Sequence, residues 1–473
     1  MAAAKLQFGM GVGGMGLGKG LGLGTLLIGV VGMATACSTA KQVTTEVTEN
    51  VRDTVRDVVV KPSEEPVKAL GQEPDIRVRV AAGVVEKEIA GPNFLAARYA
   101  GQPVMGKPVL LASPVRATMG PRGLTLLDAK GMKTEWGVGR DIEVLVADSA
   151  GALKADPIRV DKVAYPGFVT LMGDWKGSLS GQGAAKFDVV GSMGIESYLP
   201  GVLSHELLKD WPLQTYAAQA VAARSYAMHE RERARAEQRG YDVEATTMDQ
   251  VFGGTSQSVV ANEAVRITRG QVMVYDAKIL RAYFSSCCGG RAASASKVWP
   301  NPELYAFNSV APLQGVPRRF ECQKATYYRW EVRRGDEDVN QRIRNWGKWQ
   351  KRDVANLTRL RKVEVNERNL ADRPNSYKLT DEGGNVYYLR AEELRNALNA
   401  QAPGLPALNR ETQVKSGDVD VEIVADVVTI RGRGWGHGVG ACQWCMKGMA
   451  DAGYDYPQML LGFYPGAKLQ KVY

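Results

Sequence analysis

Ile195-Glu196-Ser197-Tyr198-Leu199-Pro200-Gly201-Val202-Leu203-Ser204-His205-Glu206, followed by Trp211-Pro212 and by Gln219-Ala220-Val221-Ala222-Ala223-Arg224-Ser225-Tyr226-Ala227, is the stretch on which the fold turns. Helix is predicted to begin near Tyr198 and to resume after Pro212, a residue suited to a first helical turn. Leu213, Ala217, Ala220, Val221 and Ala227 recur at three- and four-residue spacing, and the alanine-rich run through Arg224 favours close packing. The helix turns strongly charged over residues 229–239 and is predicted to stop near Gly240.

On either side the periodicity changes to that of strands. Ile76, Val78 and Val80 alternate with Arg77 and Arg79, and short β-type runs follow at Val109–Leu111, Ile142–Val146, Phe168–Leu171 and Phe187–Val190. Beyond the helical centre, strands are expected at Val272–Tyr275, Val363–Val365, Tyr387–Leu389 and Val427–Ile430. Strand groups flanking helices predict an α+β fold: a β-rich N-terminal part, a central helical segment carrying the main motif, and mixed β and helix to the C-terminus. The expected division is a leader over 1–37, a polar tether over 38–74 and a domain over 75–473, β-rich over 75–190.

The chain has 473 residues, 45% apolar and 23% charged, which excludes a mostly disordered or collagen-like protein. Lys and Arg number 60 against 51 Asp and Glu, a net charge of +9. That excess suits anionic surroundings such as nucleic acid, an anionic membrane face or a bacterial wall. Residues 1–37 carry Lys5 and Lys19, no acid, an apolar stretch from Leu21 to Ala36 and then Cys37, the pattern of a secretion signal. Cys37 after two small residues resembles a lipoprotein box, although Ala34 stands where such boxes usually have Leu, Val or Ile. Ala34-Thr35-Ala36 would equally suit a soluble-secretion peptidase. Export to the cell envelope is expected, with lipidation at Cys37 as the anchor. The segment Gln341–Lys362 mixes cations with Trp346 and Trp349. An amphipathic region whose tryptophans face a core is expected there, and no nucleic-acid partner.

A second segment reads Gly434-Trp435-Gly436-His437-Gly438-Val439-Gly440, then Gln443-Trp444 and, near the C-terminus, Tyr464-Pro465-Gly466. Glycines flanking His437 permit positive φ and leave the imidazole little shielded, as in a ligand-facing loop. The same pattern also suits a tight turn whose histidine is satisfied by backbone groups.

The ordered set of these motifs, with Gly289-Gly290 before Val298-Trp299, resembles the stage II sporulation protein D and amidase-enhancer family of bacterial cell-wall proteins. The resemblance runs from about Ile76 to the C-terminus. It implies a lytic transglycosylase, a lyase acting on peptidoglycan glycan strands, especially strands stripped of stem peptides. The family's catalytic glutamate falls on Glu206, expected at the start of the long central helix, while Glu196 falls on an acid taken to support structure. His437, Gln443, Arg224 and Tyr283 are candidates for positioning the sugar. No cofactor is implied. The alternatives are a non-catalytic protein that binds the wall and stimulates a separate cell-wall amidase, and a structural wall-binding lipoprotein.

The chain departs from the family in two places. Glu244, Met248 and Asp249 stand where spore-forming members have the Cys, His and Cys of a zinc site, so no metal is expected at that position. Ser285 stands where a histidine is common. Besides Cys37 there are Cys287, Cys288, Cys322, Cys442 and Cys445. In an oxidising exterior, a disulfide from the 287/288 pair to Cys322, Cys442 or Cys445 is the favoured expectation, and a four-thiolate metal site the weaker one.

Overall fold

The computed structural model describes Ser63 and residues 65–101, 108–174, 185–300 and 303–473. The expected leader, Cys37 and most of the expected tether lie outside the described residues. The fold is α+β, with the β-rich part first. Ile76 and Val78 point into the core from the strand Asp75–Val84, fully buried. Arg77 and Arg79 point the other way and pair with Asp242 and Glu244, so the alternation seen in the sequence is the two-residue period of a half-buried strand.

That strand belongs to a seven-stranded sheet in the order Val243–Glu244, Asp75–Val84, Phe187–Gly194, Phe168–Gly173, Ile142–Ala147, Phe94–Tyr99, Val109–Ala112. A six-stranded sheet is built from the intervening strands between Glu86 and Tyr165. Leu95, Val144, Val169, Leu171 and Val189 join the core that unites them with the helices. The strand Phe187–Gly194 passes through the expected boundary at 190 and leads directly into the first helix.

The helical centre comprises α1 (Ile195–Glu206), α2 (Leu213–Ala236) and α3 (Val259–Ile267). Leu207 is extended, and Pro212, with no N–H to give, precedes α2, so the chain breaks between the two long motifs. Glu206 is therefore the last residue of α1, not the first of the long helix. Ala217, Ala218, Ala220, Ala222 and Ala223 are completely buried, and the small side chains let α2 sit between neighbours on more than one face.

Residues 329–433 form a body with its own core. Three strands, Arg329–Gly335, Val427–Arg433 and Val419–Val424, and three more, Leu360–Arg368, Pro374–Asp381 and Val386–Arg390, pack with α4 (Asp336–Gln350) and α5 (Ala391–Asn399). Trp346 faces this core as expected, but Trp349 is 58% exposed. The C-terminal region returns to the main body as α6 (Gln443–Asp451), α7 (Tyr456–Phe463) and the strand Lys468–Lys471, which pairs with Gln271–Tyr275.

Candidate active site

Helix α1 is held at both ends. In its first turn Glu196 accepts from Arg224 Nε at 2.9 Å and Nη2 at 2.8 Å, and from the Gly270 amide and the Tyr473 hydroxyl. Arg224 has no solvent exposure and also donates to the Gln271 carbonyl at 3.1 Å. The pair ties α1 to α2 and to the strand behind it.

At the other end a loop over residues 250–256 presses onto α1. The fully buried Gln250 accepts from the Tyr198 hydroxyl at 3.0 Å and donates to the Ala223 carbonyl at 3.2 Å. Phe252 meets Tyr198 in a tilted contact, with ring centroids 4.8 Å apart. This close approach requires glycine: a Cβ on Gly201 would lie 2.0 Å from the Gly254 carbonyl oxygen, and one on Gly253 would lie 1.9 Å from the His205 ring. The Pro200-Gly201 of the motif is thus the seat of the loop.

The loop's Val251 amide donates to Glu206 Oε1 at 3.0 Å, and the Gln443 side-chain amide donates to Oε2 at 3.2 Å. Gln443 opens α6 and is 4% exposed. Glu206 is itself half-buried. Burial pushes its carboxyl above the ordinary glutamate range, and this outweighs the Val251 and Gln443 hydrogen bonds and the neighbouring His205, which act in the opposite direction. Its place at a helix C-terminus, the negative end of the helix dipole, adds to that upward push. The group is a carboxylic acid with both oxygens fixed and a raised proton affinity, as a proton donor needs. Next to Gln443 in the chain, Trp444 meets Trp211 edge-to-face at 5.1 Å.

Of the sequence candidates, the structure brings together Glu206 and Gln443. Arg224 serves the buried Glu196. The Tyr283 hydroxyl donates to Asn308 at 2.8 Å and accepts from Arg281 at 2.8 Å, while the ring stacks on Trp299 at 4.4 Å. His437 accepts the Val439 amide on Nδ1 at 3.0 Å and lies 4.9 Å from Trp299. Its pKa is pushed down to about 3 by burial and by Arg395 and Arg373, so the ring is neutral, and it shares no hydrogen-bond partner with Glu206. The glycines around it let the loop lie against residues 283–288: a Cβ on Gly440, at φ +68°, would sit 1.9 Å from the Tyr283 carbonyl oxygen.

Sequence reasoning did not find the Val251 amide, since a backbone donor leaves no side-chain signature. The segment aligned with the family's zinc stretch is held here by charge: Asp242 binds Arg77, Glu244 binds Arg79, and Asp249 accepts from Tyr226. None of the five described cysteines forms a disulfide, contrary to the favoured expectation.

A family model described as stage II sporulation protein matches residues 184–275, and one described as a domain of unknown function matches residues 304–440. The first span holds α1 and the 250–256 loop, whereas Gln443 lies outside both. An uncharacterized protein of Brachyspira hyodysenteriae is 31% identical over 282 residues, covering 59% of this chain and 68% of that one. The amidase enhancer of Bacillus subtilis is 25% identical over 289 residues, 57% of this chain, and the match spans 40% of that relative's length.

Proposed function

Because the chain belongs to the stage II sporulation protein D and amidase-enhancer family, and so has a role at the bacterial cell wall, we propose that it is a peptidoglycan lytic transglycosylase with Glu206 as proton donor and acceptor. The observation that carries this is the geometry of one carboxyl group: half-buried, held by a backbone amide on one oxygen and by Gln443 on the other, with its pKa raised.

Hydrolytic glycosidases commonly place two carboxyl groups across the bond, one to donate a proton and one to act as nucleophile or to activate water. A single carboxyl suffices when the sugar supplies its own nucleophile. Protonated Glu206 gives its proton to the bridging oxygen as the muramyl C1–O bond breaks, and the neighbouring sugar leaves with a free hydroxyl. The muramyl C6 oxygen then bonds to C1, and its proton passes to the Glu206 carboxylate, restoring the acid. The product is a 1,6-anhydro ring, no water is consumed, and intramolecular attack supplies the advantage of proximity. Gln443 and the Val251 amide hold the carboxyl in one orientation throughout.

Incubation of the purified protein with denuded glycan strands tests the assignment. Wild type is expected to release anhydro ends unaided. Glu206→Gln keeps both hydrogen-bond partners in reach and binds glycan, but loses roughly 100-fold or more of the rate, the scale of general acid–base catalysis. Wild-type-like release from that variant would remove Glu206 from its role.

A second reading is favoured by the name of the Bacillus relative, an amidase enhancer: a wall-binding protein that stimulates a separate amidase. It yields no anhydro ends alone and raises amidase turnover in a mixed assay. Under either reading we place the protein outside the cell, with lipidated Cys37 as its membrane anchor.

A further inference from the structure

We propose that Cys288, Cys322, Cys442 and Cys445 bind one zinc ion. All four are buried, and their sulfur atoms lie within 4.8 Å of one another. Cys288 Sγ is 3.7 Å from Cys322 Sγ and 3.8 Å from Cys445 Sγ. A tetrahedral ion with Zn–S bonds of about 2.3 Å has sulfur–sulfur edges of about 3.8 Å. The four thiols thus stand at nearly the spacing of a single ion's ligands, from three segments far apart in the chain. A multi-iron cluster would hold some or all of its thiolates farther apart, because they sit on different irons.

Two backbone donors face one of the sulfurs. The Cys288 and Cys445 amides point at Cys442 Sγ, at 3.3 and 3.4 Å, and N–H donors of this kind are the usual outer-shell partners that orient a metal ligand. The Cys442-Gln443-Trp444-Cys445 spacing puts one ligand at the N-cap of α6 and one on its first turn, Cys288 immediately precedes the Gly289-Gly290 turn, and Cys322 comes from the loop leading to the 329–433 body. Zinc fits the set: a redox-inert ion that takes four thiolates tetrahedrally in closed structural sites. These ligands are distinct from Glu244, Met248 and Asp249.

The ion also deepens the catalytic assignment, on which this step rests. Gln443 lies between two ligands, so the metal fixes the helical turn that presents its amide to Glu206. Zinc is structural here and takes no part in bond cleavage.

Metal content separates this proposal from the glycan chemistry. The full chain, purified without chelator, is expected to carry one zinc per molecule by elemental analysis. Replacement by cobalt should give the intense thiolate-to-metal absorption and visible bands of a tetrahedral four-sulfur site. Cys288→Ser and Cys445→Ser should cut bound zinc at least tenfold, while Cys287→Ser keeps one zinc, since that thiol is outside the set. Should the first two variants fail to fold, cobalt titration of wild-type protein stripped by chelator provides the same readout, saturating at one equivalent. Disulfides among the four in peptide mapping, iron in place of zinc, or a metal-free native chain would overturn the proposal.

Discussion

Glu206 and Gln443 are 237 residues apart and joined by one hydrogen bond, and two outcomes follow for them. Gln443→Ala removes a donor that favours the carboxylate, so the Glu206 pKa rises further. The alkaline limb of the kcat/KM profile is expected to move to higher pH while the maximal rate falls about tenfold. A residue that only filled space would leave that limb in place. The second outcome concerns stability. A carboxyl whose folded pKa exceeds the unfolded value of about 4.3 favours folding most below that pH, and the contribution is lost as pH rises through the folded pKa. Glu206→Gln is therefore expected to melt above wild type at neutral pH, and the gap should close toward pH 4. Thermal scans at both pH values check this. Glu206 and Gln443 were both singled out by their motifs, but neither the hydrogen bond between them nor the Val251 amide was, because the first joins distant parts of the chain and the second is a main-chain group.

At the level of elements, α1 works as a strut. The Glu196–Arg224 pair at its start has essentially no access to water, so truncating one partner strands a charge, at a cost of about 3–5 kcal/mol. Arg224→Ala is expected to lose that much in denaturant unfolding, while Arg224→Met paired with Glu196→Leu recovers a large part. The two central helices and the strands named from the sequence were legible because their signals are local: Pro212, the alanine spacing and two-residue alternation. The short strands of the six-stranded sheet and the helices α3, α5, α6 and α7 carry weaker local signals and were not named. The division between α1 and α2 was legible, yet Glu206 was expected on the wrong side of it. The disulfide expectation had the convergence and not the bond: Cys288 does meet Cys322 and Cys445, at 3.7 and 3.8 Å, well beyond the length of an S–S bond. His437 shows the limit of composition: its flanking glycines serve the close approach of two loops, and the ring stays neutral beside Trp299.

On the scale of the whole molecule, the sequence conveyed the α+β class and the β-rich start, but not that residues 329–433 close around a core of their own. Their strands resemble the others in pattern, and nothing local tells which strand pairs with which. The proposed lipid anchor has its own test: if Cys37 is lipidated, Cys37→Ser should move the protein from the membrane fraction to the soluble envelope fraction, measured by fractionation of cells expressing each form. The register of the 329–433 body carries a further consequence. Arg329 pairs directly with Arg433 across antiparallel strands, so the chain leaves for this body and comes back at a single doorway. Such a lobe can be gained, exchanged or shed in evolution without rethreading the remainder. Relatives that share the Glu206 scaffold are then free to differ in the annex they carry.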